Sequence, residues 1–293
     1  MKAVFSFWSK PYLRSLHKGF AGFPSEHYFK VAFELAILTA RDHFDRIELV
    51  TDTEGYAILQ KHGFEFDAVS LALDEIADIP SNLWCFGKLK AYSIQKEPFI
   101  HLDYDLFLLK PLPKSFYEAA VVTQSVEPFN LPHYANYYLP NMETLLKTHK
   151  NLPVEFKVFE KRPLTTQWAH NTGLVGGQNW RAIAAYATMA MKICRDNLPT
   201  IQAELTEFRQ SEMNVVYEQA TISRYCLHHK IKIETLLKLP IYDNTEIENV
   251  GLVHLIASSK SEVAMCQNME ITLNKRKAAL PHVLPQRVLK GQF

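Results

Sequence analysis

Asp103 and Asp105 stand two residues apart within the apolar segment 98–111, and this spacing is the clearest chemical signal in the sequence. The segment reads as a buried strand, in which residues i and i+2 point to the same side. Two carboxylates that face one way in apolar surroundings need a cation between them or a water-filled cleft at the strand end. We therefore expect a bound divalent metal ion, with a turn-capping role for the two aspartates as the alternative.

The elements before these aspartates predict a parallel sheet. Segments 2–8 and 47–52 read as strands, segments 25–40 and 53–62 read as helices, and a helix over 83–95 leads into the central strand. Ser25 is the expected N-cap of its helix, and Gly63 follows the end of the next one. Because ligands collect at the carboxyl ends of parallel strands, Asp52 is placed at the same edge of the sheet as the two aspartates.

The later part of the chain is less regular. It is predicted to contain a strand over 119–126, an irregular insertion over 128–163 with several prolines, a glycine-containing segment over 170–177, helices over 179–197 and 211–229, a strand over 250–256 and a final helix. We expect a single domain over 1–293, with a nucleotide-binding part over about 1–127, an insertion and acceptor-side part over about 128–262, and a C-terminal helical tail over 263–293.

Composition excludes some classes of function. The 293 residues are 47% hydrophobic and 22% charged, and 32 Lys and Arg nearly balance 31 Asp and Glu. No global charge is therefore available to attract nucleic acid, and none is expected as a partner. The four cysteines show no metal-ligand spacing and are expected to be buried free thiols. With no signal peptide or membrane-spanning stretch visible, a cytoplasmic location is expected.

Four segments, taken in order, resemble the GT-A glycosyltransferases, in particular the glycogenin-like and bacterial lipopolysaccharide-glycosyltransferase (family 8-like) group. Segments 86–92 and 99–105 resemble the family's basic helix and its DxD strand, and 171–177 resembles its N-x-G segment. Segment 217–222 resembles its Asp-Gln helix, with Glu218 in place of Asp. Segment 251–260 resembles its His-x-x-Gly-x-x-Lys segment, with Ala257 in place of Gly.

The resemblance implies a GT-A-type, Rossmann-like α/β fold with a mixed, mostly parallel sheet flanked by helices. It implies that Asp103, Asp105 and His254 bind a metal ion and that Lys260 holds a diphosphate. A nitrogen ligand beside oxygen ligands favours Mn2+ over Mg2+. A core histidine that bonds a backbone carbonyl is the alternative for His254.

The other candidate site residues surround this proposed metal ion. Lys88 would add positive charge at the phosphates, although an exposed lysine is its alternative reading. The aromatic and polar residues after the first two strands would bind base and ribose, unless the aromatics belong to the core. The cofactor-binding set is Phe7, Trp8, Ser9, Asp52, Lys88, Tyr104, Asn171, Gly173 and Lys260.

The catalytic candidates are Gln219 and Glu218. In the resembled group the anomeric configuration is retained and the Gln lies near the donor's anomeric centre, which corresponds to Gln219. Glu218 could instead act as the general base of an inverting reaction, or form an ion pair on a helix surface.

The predicted function is a metal-dependent glycosyltransferase that moves a sugar from a nucleotide-sugar donor, a UDP-sugar, to a glycan or lipid-linked acceptor. A catalytically inactive nucleotide-sugar-binding protein is the first alternative. A haloacid-dehalogenase-like phosphatase is the second, although the residues that such an enzyme would place after Asp105 are absent. The basic end, Lys275, Arg276, Lys277, Arg287 and Lys290, could touch the inner membrane face, or form a solvated helix face.

Overall fold

A computed structural model describes residues 1–15, 20–159, 161–239 and 243–279. Its strands are β1 (Lys2–Phe7), β2 (Ile47–Thr51), β3 (Ala68–Ser70), β4 (Phe99–Leu102), β5 (Leu106–Leu108), β6 (Val121–Pro128), β7 (Trp168–Gly177), β8 (Ile233–Thr235) and β9 (Leu252–His254). Its helices are α1 (Ser9–Ser15), α2 (Glu26–Arg41), α3 (Thr53–Lys61), α4 (Cys85–Ser93), α5 (Lys114–Glu118), α6 (Pro132–Thr148), α7 (Trp180–Glu204), α8 (Glu207–Glu212), α9 (Thr221–His228), α10 (Asn244–Val250) and α11 (Val263–Ala279).

Within the described residues, seven strands form one mixed sheet in the order β3-β2-β1-β4-β7-β6-β8. The first four run parallel, β7 is antiparallel to both β4 and β6, and β8 is parallel to β6. Strands β5 and β9 form a separate antiparallel pair. The predicted α/β fold with a mixed, mostly parallel sheet is therefore confirmed.

Helices cover both faces of this sheet, and each face has its own hydrophobic core. Because successive side chains of a strand point to opposite faces, Val4 of β1 belongs to the core that also contains residues of α4, α7 and α9. Its neighbours Ala3 and Phe5 belong to the core that contains residues of α2 and α11. Ser25 caps α2 as predicted, because its hydroxyl accepts a hydrogen bond from the backbone N–H of Tyr28 at 3.3 Å.

The apolar segment 98–111 is not one strand, so that prediction is wrong in detail. Strand β4 ends at Leu102, and a turn closes with the N–H of Leu106 donating to the carbonyl oxygen of Asp103 at 3.1 Å. The chain then leaves the main sheet and pairs as β5 with β9. Apolar periodicity missed the break because both short strands are fully buried, so they read as one continuous apolar run.

The segment 128–163 was predicted to be irregular, which is wrong for its first half. Residues Pro132–Thr148 form the helix α6. Pro132 lies in the first turn, where a missing N–H costs nothing, and Pro140 lies inside the helix. The Thr144 hydroxyl donates to the Pro140 carbonyl at 2.7 Å. Proline content alone therefore misled the prediction, because amphipathic packing of α6 tolerates one internal proline.

Two further predictions concern the cysteines and the basic end. The four cysteines are buried and free, as expected. Arg276 pairs with Asp42 and Lys277 pairs with Glu34, so both cations bind the protein's own surface. Arg287 and Lys290 lie outside the described residues. Among the helices that the structure describes, none has the length and apolar character needed to cross a bilayer.

Candidate active site

The turn that carries Asp103, Tyr104 and Asp105 lies at the carboxyl end of β4 and is fixed by its backbone. The N–H of Asp103 donates to the carbonyl oxygen of Gly173 at 2.9 Å. The carbonyl oxygen of Asp105 accepts from the N–H of Leu255 at 3.0 Å, just after β9. Two distant segments of the chain therefore meet at this turn and hold it in place.

His254, the last residue of β9, projects into the turn. Its Nε2 lies 3.7 Å from Oδ2 of Asp103 and 3.4 Å from Oδ1 of Asp105. One ligand atom from each of the three residues lies within 4.8 Å of the others. A carboxylate pair and an imidazole at this spacing form a suitable ligand set for a divalent cation such as Mn2+ or Mg2+.

The orientation of the imidazole also fits a metal ligand. Nδ1 of His254 donates a hydrogen bond of 2.7 Å to the side-chain carbonyl oxygen of Gln124. This bond places a proton on Nδ1, so Nε2, which faces the two carboxylates, is the nitrogen that would bind a metal ion in place of its own proton. The partner of Nδ1 is therefore a side chain, and not the backbone carbonyl expected for a core histidine.

Gly173 makes this arrangement possible. A Cβ atom at this position would lie 2.3 Å from Cε1 of His254 and 2.6 Å from Oε1 of Gln124. Any other residue would push the histidine away from the carboxylates. The group packed against Gly173 is therefore the imidazole of His254.

Lys88 on α4 lies on one side of the carboxylate pair. Its Nζ lies 3.0 Å from Asp103 and 2.9 Å from Glu218, and it donates to the carbonyl oxygen of Thr172 at 3.1 Å. Burial alone would lower the pKa of Lys88, but the two carboxylates outweigh it and raise the pKa. Lys88 is a largely buried, charged residue with three partners, and not the exposed lysine of the alternative reading.

Glu218 lies in a π-helical turn, Val216–Ala220, that joins the end of α8 to α9. Its side chain is completely buried and accepts from the Tyr92 hydroxyl at 2.9 Å. It is absent from the residues that line the neighbouring cavity. Glu218 therefore pairs with Lys88 from inside the protein and does not lie on a helix surface.

Lys260 lies on the other side of the pair, in the short helical turn Ala257–Ser261. Its ammonium group pairs with Asp105 and lies over the rings of Tyr104 and Phe23, 5.6 and 5.8 Å from their centres. Ala257 has a left-handed backbone with φ of 50°. The backbone at this position thus has the conformation that favours glycine, although the residue is alanine.

The two aspartates differ in their acidity. Burial raises the pKa of Asp103 to about 6, with Asp105 and Glu218 adding to the effect of burial and Lys88 opposing it. Burial acts in the same direction on Asp105, but Lys260 and His254 outweigh it and hold the pKa of Asp105 below its usual range. One carboxylate is therefore fully ionised at neutral pH, and the other is ionised with a smaller margin.

A cavity of about 560 Å³ opens above these groups. Its polar end contains the three possible metal ligands, both lysines, Asn171, Glu127 and Gln219, and its rim contains aromatic and apolar residues. The rim residues include Trp84, Tyr134, Tyr137 and Ile256. A concave site with a few convergent polar groups and an apolar rim is typical of a small-molecule or glycan binding site.

Glu127 and Gln124 on β6 were not predicted from the sequence. Glu127 is buried, accepts from Nδ2 of Asn171 at 2.9 Å and bonds to the hydroxyl of Tyr138. Burial raises the pKa of Glu127, although its two hydrogen bonds act in the opposite direction. The available signal was that half of this eight-residue strand is polar, with Thr123, Gln124, Ser125 and Glu127 among its residues. Strict alternation would put Gln124 and Glu127, three residues apart, on opposite faces of the sheet. The register shift between Thr123 and Ser125 breaks this alternation.

Gln219 reaches the cavity next to Glu127. The hydroxyl of Tyr138 bonds to both Oε2 of Glu127 and the side-chain amide of Gln219. A hydroxyl carries only one proton, so the second bond takes its proton from the carboxyl group or from the amide nitrogen. The three side chains form one connected polar group beside Asn171.

The four residues predicted to bind base and ribose divide between two cavities. Phe7 lines the large cavity but also packs against the rings of Tyr12, Phe29 and Phe33. Trp8 lines both the large cavity and a second one of about 280 Å³. Ser9 and Asp52 line only the second, where Asp52 accepts from the N–H groups of Ser9 and of Gly55 in α3. Asp52 therefore has a structural task at the start of α3.

Fold and site together define a mixed α/β protein with a carboxylate–histidine cluster at the carboxyl end of its central parallel strand. The chain belongs to the family of unknown function DUF6734, whose model matches residues 1–282. No curated protein matches the chain.

Two solved structures are similar to it at 10% sequence identity. One is galactosyltransferase LgtC in complex with donor and acceptor sugar analogues, with a TM-score of 0.48 over 98% of each chain. The other is mouse xyloside xylosyltransferase 1 in its apo form, with a TM-score of 0.36 over 80% of this chain and 85% of that chain. Likeness at this level does not decide the function, which has to come from the site.

Proposed function

We propose that this protein is a metal-dependent glycosyltransferase that uses a nucleotide-sugar donor, most simply a UDP-sugar. The observation that carries the proposal is the convergence of Asp103, Asp105 and His254, from two distant parts of the chain, at ligand spacing. Two lysines flank this cluster at the polar end of a large cavity. The chemistry needs these groups because cleavage of the donor releases a negatively charged diphosphate.

The residues around the cluster fit a divalent cation, and Mn2+ is the preferred ion because one ligand is nitrogen. When bound, such an ion supplies Lewis-acid stabilisation of the diphosphate. Lys88 keeps Asp103 in place, and Gln124 keeps the imidazole lone pair of His254 directed at the ligand position. Lys260 leaves Asp105 and binds the phosphate oxygens of the donor.

The sugar of the donor is proposed to lie against Asn171, Glu127 and Gln219. These groups offer both donors and acceptors for sugar hydroxyls, and they lie at the end of the cavity nearest the metal-ligating cluster. Gln219 is placed at the anomeric centre, as the resemblance implies. Glu218 is buried behind Lys88, so it has no route to an acceptor hydroxyl, and this supports a retaining course over an inverting one that uses Glu218 as base.

The remaining assignments follow the sequence predictions. Phe7, Trp8 and Tyr104 are proposed to contact base and ribose, and the acceptor is a glycan or a lipid-linked glycan that enters over the aromatic rim. A cytoplasmic location, with contact of the basic end to the inner membrane face, remains a proposal.

An inactive nucleotide-sugar-binding protein is the competing proposal. Ala257 and Glu218 depart from the pattern of the resembled GT-A glycosyltransferases, and such departures would be expected in a site that has lost its activity. Ala257 nevertheless has the left-handed backbone that a glycine would adopt, and Glu218 still forms an ion pair with Lys88. The local structure at both positions is therefore preserved, which favours an active enzyme.

The test has two stages. A thermal-shift screen of UDP-, GDP- and CDP-sugars with and without Mn2+ identifies the donor, because specific binding stabilises the folded state. Release of nucleoside diphosphate is then measured for that donor with sugar acceptors, and proton NMR gives the anomer formed first. Asp105→Asn should abolish release, whereas the exposed Asp196→Asn should leave it unchanged. Donor binding without any release would support the inactive protein, and metal-independent release would contradict the proposal.

A further inference from the structure

Glu155, His228 and His229 form a second cluster of possible metal ligands, separate from the cavity. One ligand atom from each residue lies within 4.8 Å of the others. None of the three lines either described cavity. The cluster joins two elements whose residues are more than 70 positions apart in the chain, so it has no explanation in local sequence.

The end of α9 brings the two consecutive histidines together. The helix ends at His228, and Lys230 takes a left-handed conformation with φ of 54°, which turns the chain away. The two imidazole rings lie 4.9 Å apart between centres and nearly perpendicular to each other. Consecutive residues inside a helix point about 100° apart, so this convergence depends on the helix end.

Glu155 faces the histidines from the first turn of a short helix, Val154–Phe159. Its Oε1 lies 3.1 Å from Nε2 of His229, and its side chain is only 13% exposed. Within the described residues, His229 is the one ion-pair partner recorded for Glu155. A histidine is only partly charged near neutral pH, so this largely buried carboxylate lacks a permanent counter-charge.

We propose that Glu155, His228 and His229 bind Zn2+. Two imidazoles and one carboxylate match the nitrogen and oxygen ligands that zinc takes, and water completes the coordination. Ligands at zinc distances of about 2.0–2.1 Å lie roughly 3.3 Å from one another in a tetrahedron. The observed 3.1 Å between Glu155 and His229 already meets this spacing. His228 offers its own ligand atom within 4.8 Å of the other two.

The ion would clamp the helix Val154–Phe159 to the C-terminal end of α9. That helix and α9 already pack together, with the guanidinium of Arg224 over the rings of Phe156 and Phe159. Because α9 continues directly from the turn that carries Gln219, the clamp would brace the element that presents Gln219 to the cavity. The proposal does not depend on the glycosyltransferase assignment.

The test uses the full chain with the first cluster disabled by His254→Ala, so that zinc bound there does not interfere. Competition with a chromophoric chelator should then show one Zn2+ per chain. Adding Glu155→Gln or His228→Ala should weaken this binding by about a hundredfold, because one of three protein ligands is lost. His27→Ala serves as the matched control, since His27 is another surface histidine that pairs with a glutamate, Glu270.

Zinc should also raise the melting temperature of the His254→Ala protein and leave that of the His254→Ala/His228→Ala protein unchanged. If His254→Ala does not fold, Asp103→Asn is the alternative background. X-ray absorption at the zinc edge should show two imidazole ligands. The proposal would be overturned if zinc does not bind in either background. It would also be overturned if neither Glu155→Gln nor His228→Ala changes the zinc affinity of the background protein.

Discussion

Lys88 and Lys260 stand on opposite sides of the same carboxylate pair, yet they are held in different ways. Lys88 comes from a regular helix and has two carboxylates and a backbone carbonyl as partners. Lys260 comes from a short turn. Among the residues that the structure describes, its charge pairs with Asp105 alone, and it also lies over two aromatic rings. The first is fixed by the fold. The second has one carboxylate partner, which we propose it exchanges for a phosphate when a metal ion binds Asp105.

The difference explains the unequal acidity of the two aspartates. Lys88 divides its charge between Asp103 and Glu218, so the pKa of Asp103 stays raised at about 6, for which burial is the main cause. Lys260 acts on Asp105 without such competition, and together with His254 it overcomes burial. The carboxylates of this network carry more negative charge than the two lysines balance, which suits them to bind a metal ion. Lys260, whose partner is exchangeable, is suited to bind a phosphate.

The largest expected effect is on stability. Lys88→Met removes the lysine partner of the fully buried Glu218 and of the partly buried Asp103, so we expect the free energy of unfolding to fall by about 3–5 kcal/mol. Urea unfolding of the metal-free protein measures it. Lys90→Met on the same helix is the control, because Lys90 pairs with the largely exposed Glu75 and should matter by less than about 1 kcal/mol.

A second variant separates lost charge pairing from lost packing. Lys88→Met/Glu218→Leu removes both charges and should recover part of the stability, because only Asp103 then remains unpaired. Equal losses for Lys88→Met and Lys90→Met would show that Lys88 is not fixed more firmly than a lysine in a surface ion pair.

The next effect is on ligand affinity. Lys260→Met removes a charged hydrogen-bond donor from the phosphates, so UDP should bind about 10- to 100-fold more weakly in the presence of Mn2+. Mn2+ alone should bind at least as tightly as before, because Lys260 no longer competes for Asp105. Isothermal titration calorimetry measures both, with Lys277→Met as a distant control. Weaker Mn2+ binding together with unchanged UDP binding would reverse the assigned role.

The smallest effect is a pH dependence that distinguishes the two aspartates. Mn2+ needs the ionised carboxylate, so protonation of Asp103 below its pKa of about 6 should weaken Mn2+ binding by about tenfold per pH unit. Above that pKa the affinity should be nearly constant until other groups titrate. Glu218→Gln removes a charge that raises the pKa of Asp103, so the midpoint should move to lower pH. A midpoint near 4 in the unmodified protein would contradict the raised pKa.

Much of the proposed metal-binding cluster could be predicted from the sequence. Asp103 and Asp105 stand out because charged residues rarely interrupt an apolar run without a reason, and His254 and Lys260 followed from the motif order. Their convergence is what the structure adds. The roles of Lys88 and Glu218 were not predictable, since a lysine and a glutamate separated by 130 positions show no local pattern that pairs them.

Local patterns in the chain specified the alternation of strands and helices, the cap at Ser25 and the types of residue available for metal binding, because these depend on neighbours within a few positions. The long-range packing alone set the break after Leu102, the bulge that turns Gln124 and Glu127 toward one site, and the burial of Glu218. The physical reason is that burial, and with it the cost of an unpaired charge, is a property of contacts between distant segments. The contacts between those segments determine whether a carboxylate can bind a metal ion, pairs with a buried lysine or lies exposed at the surface.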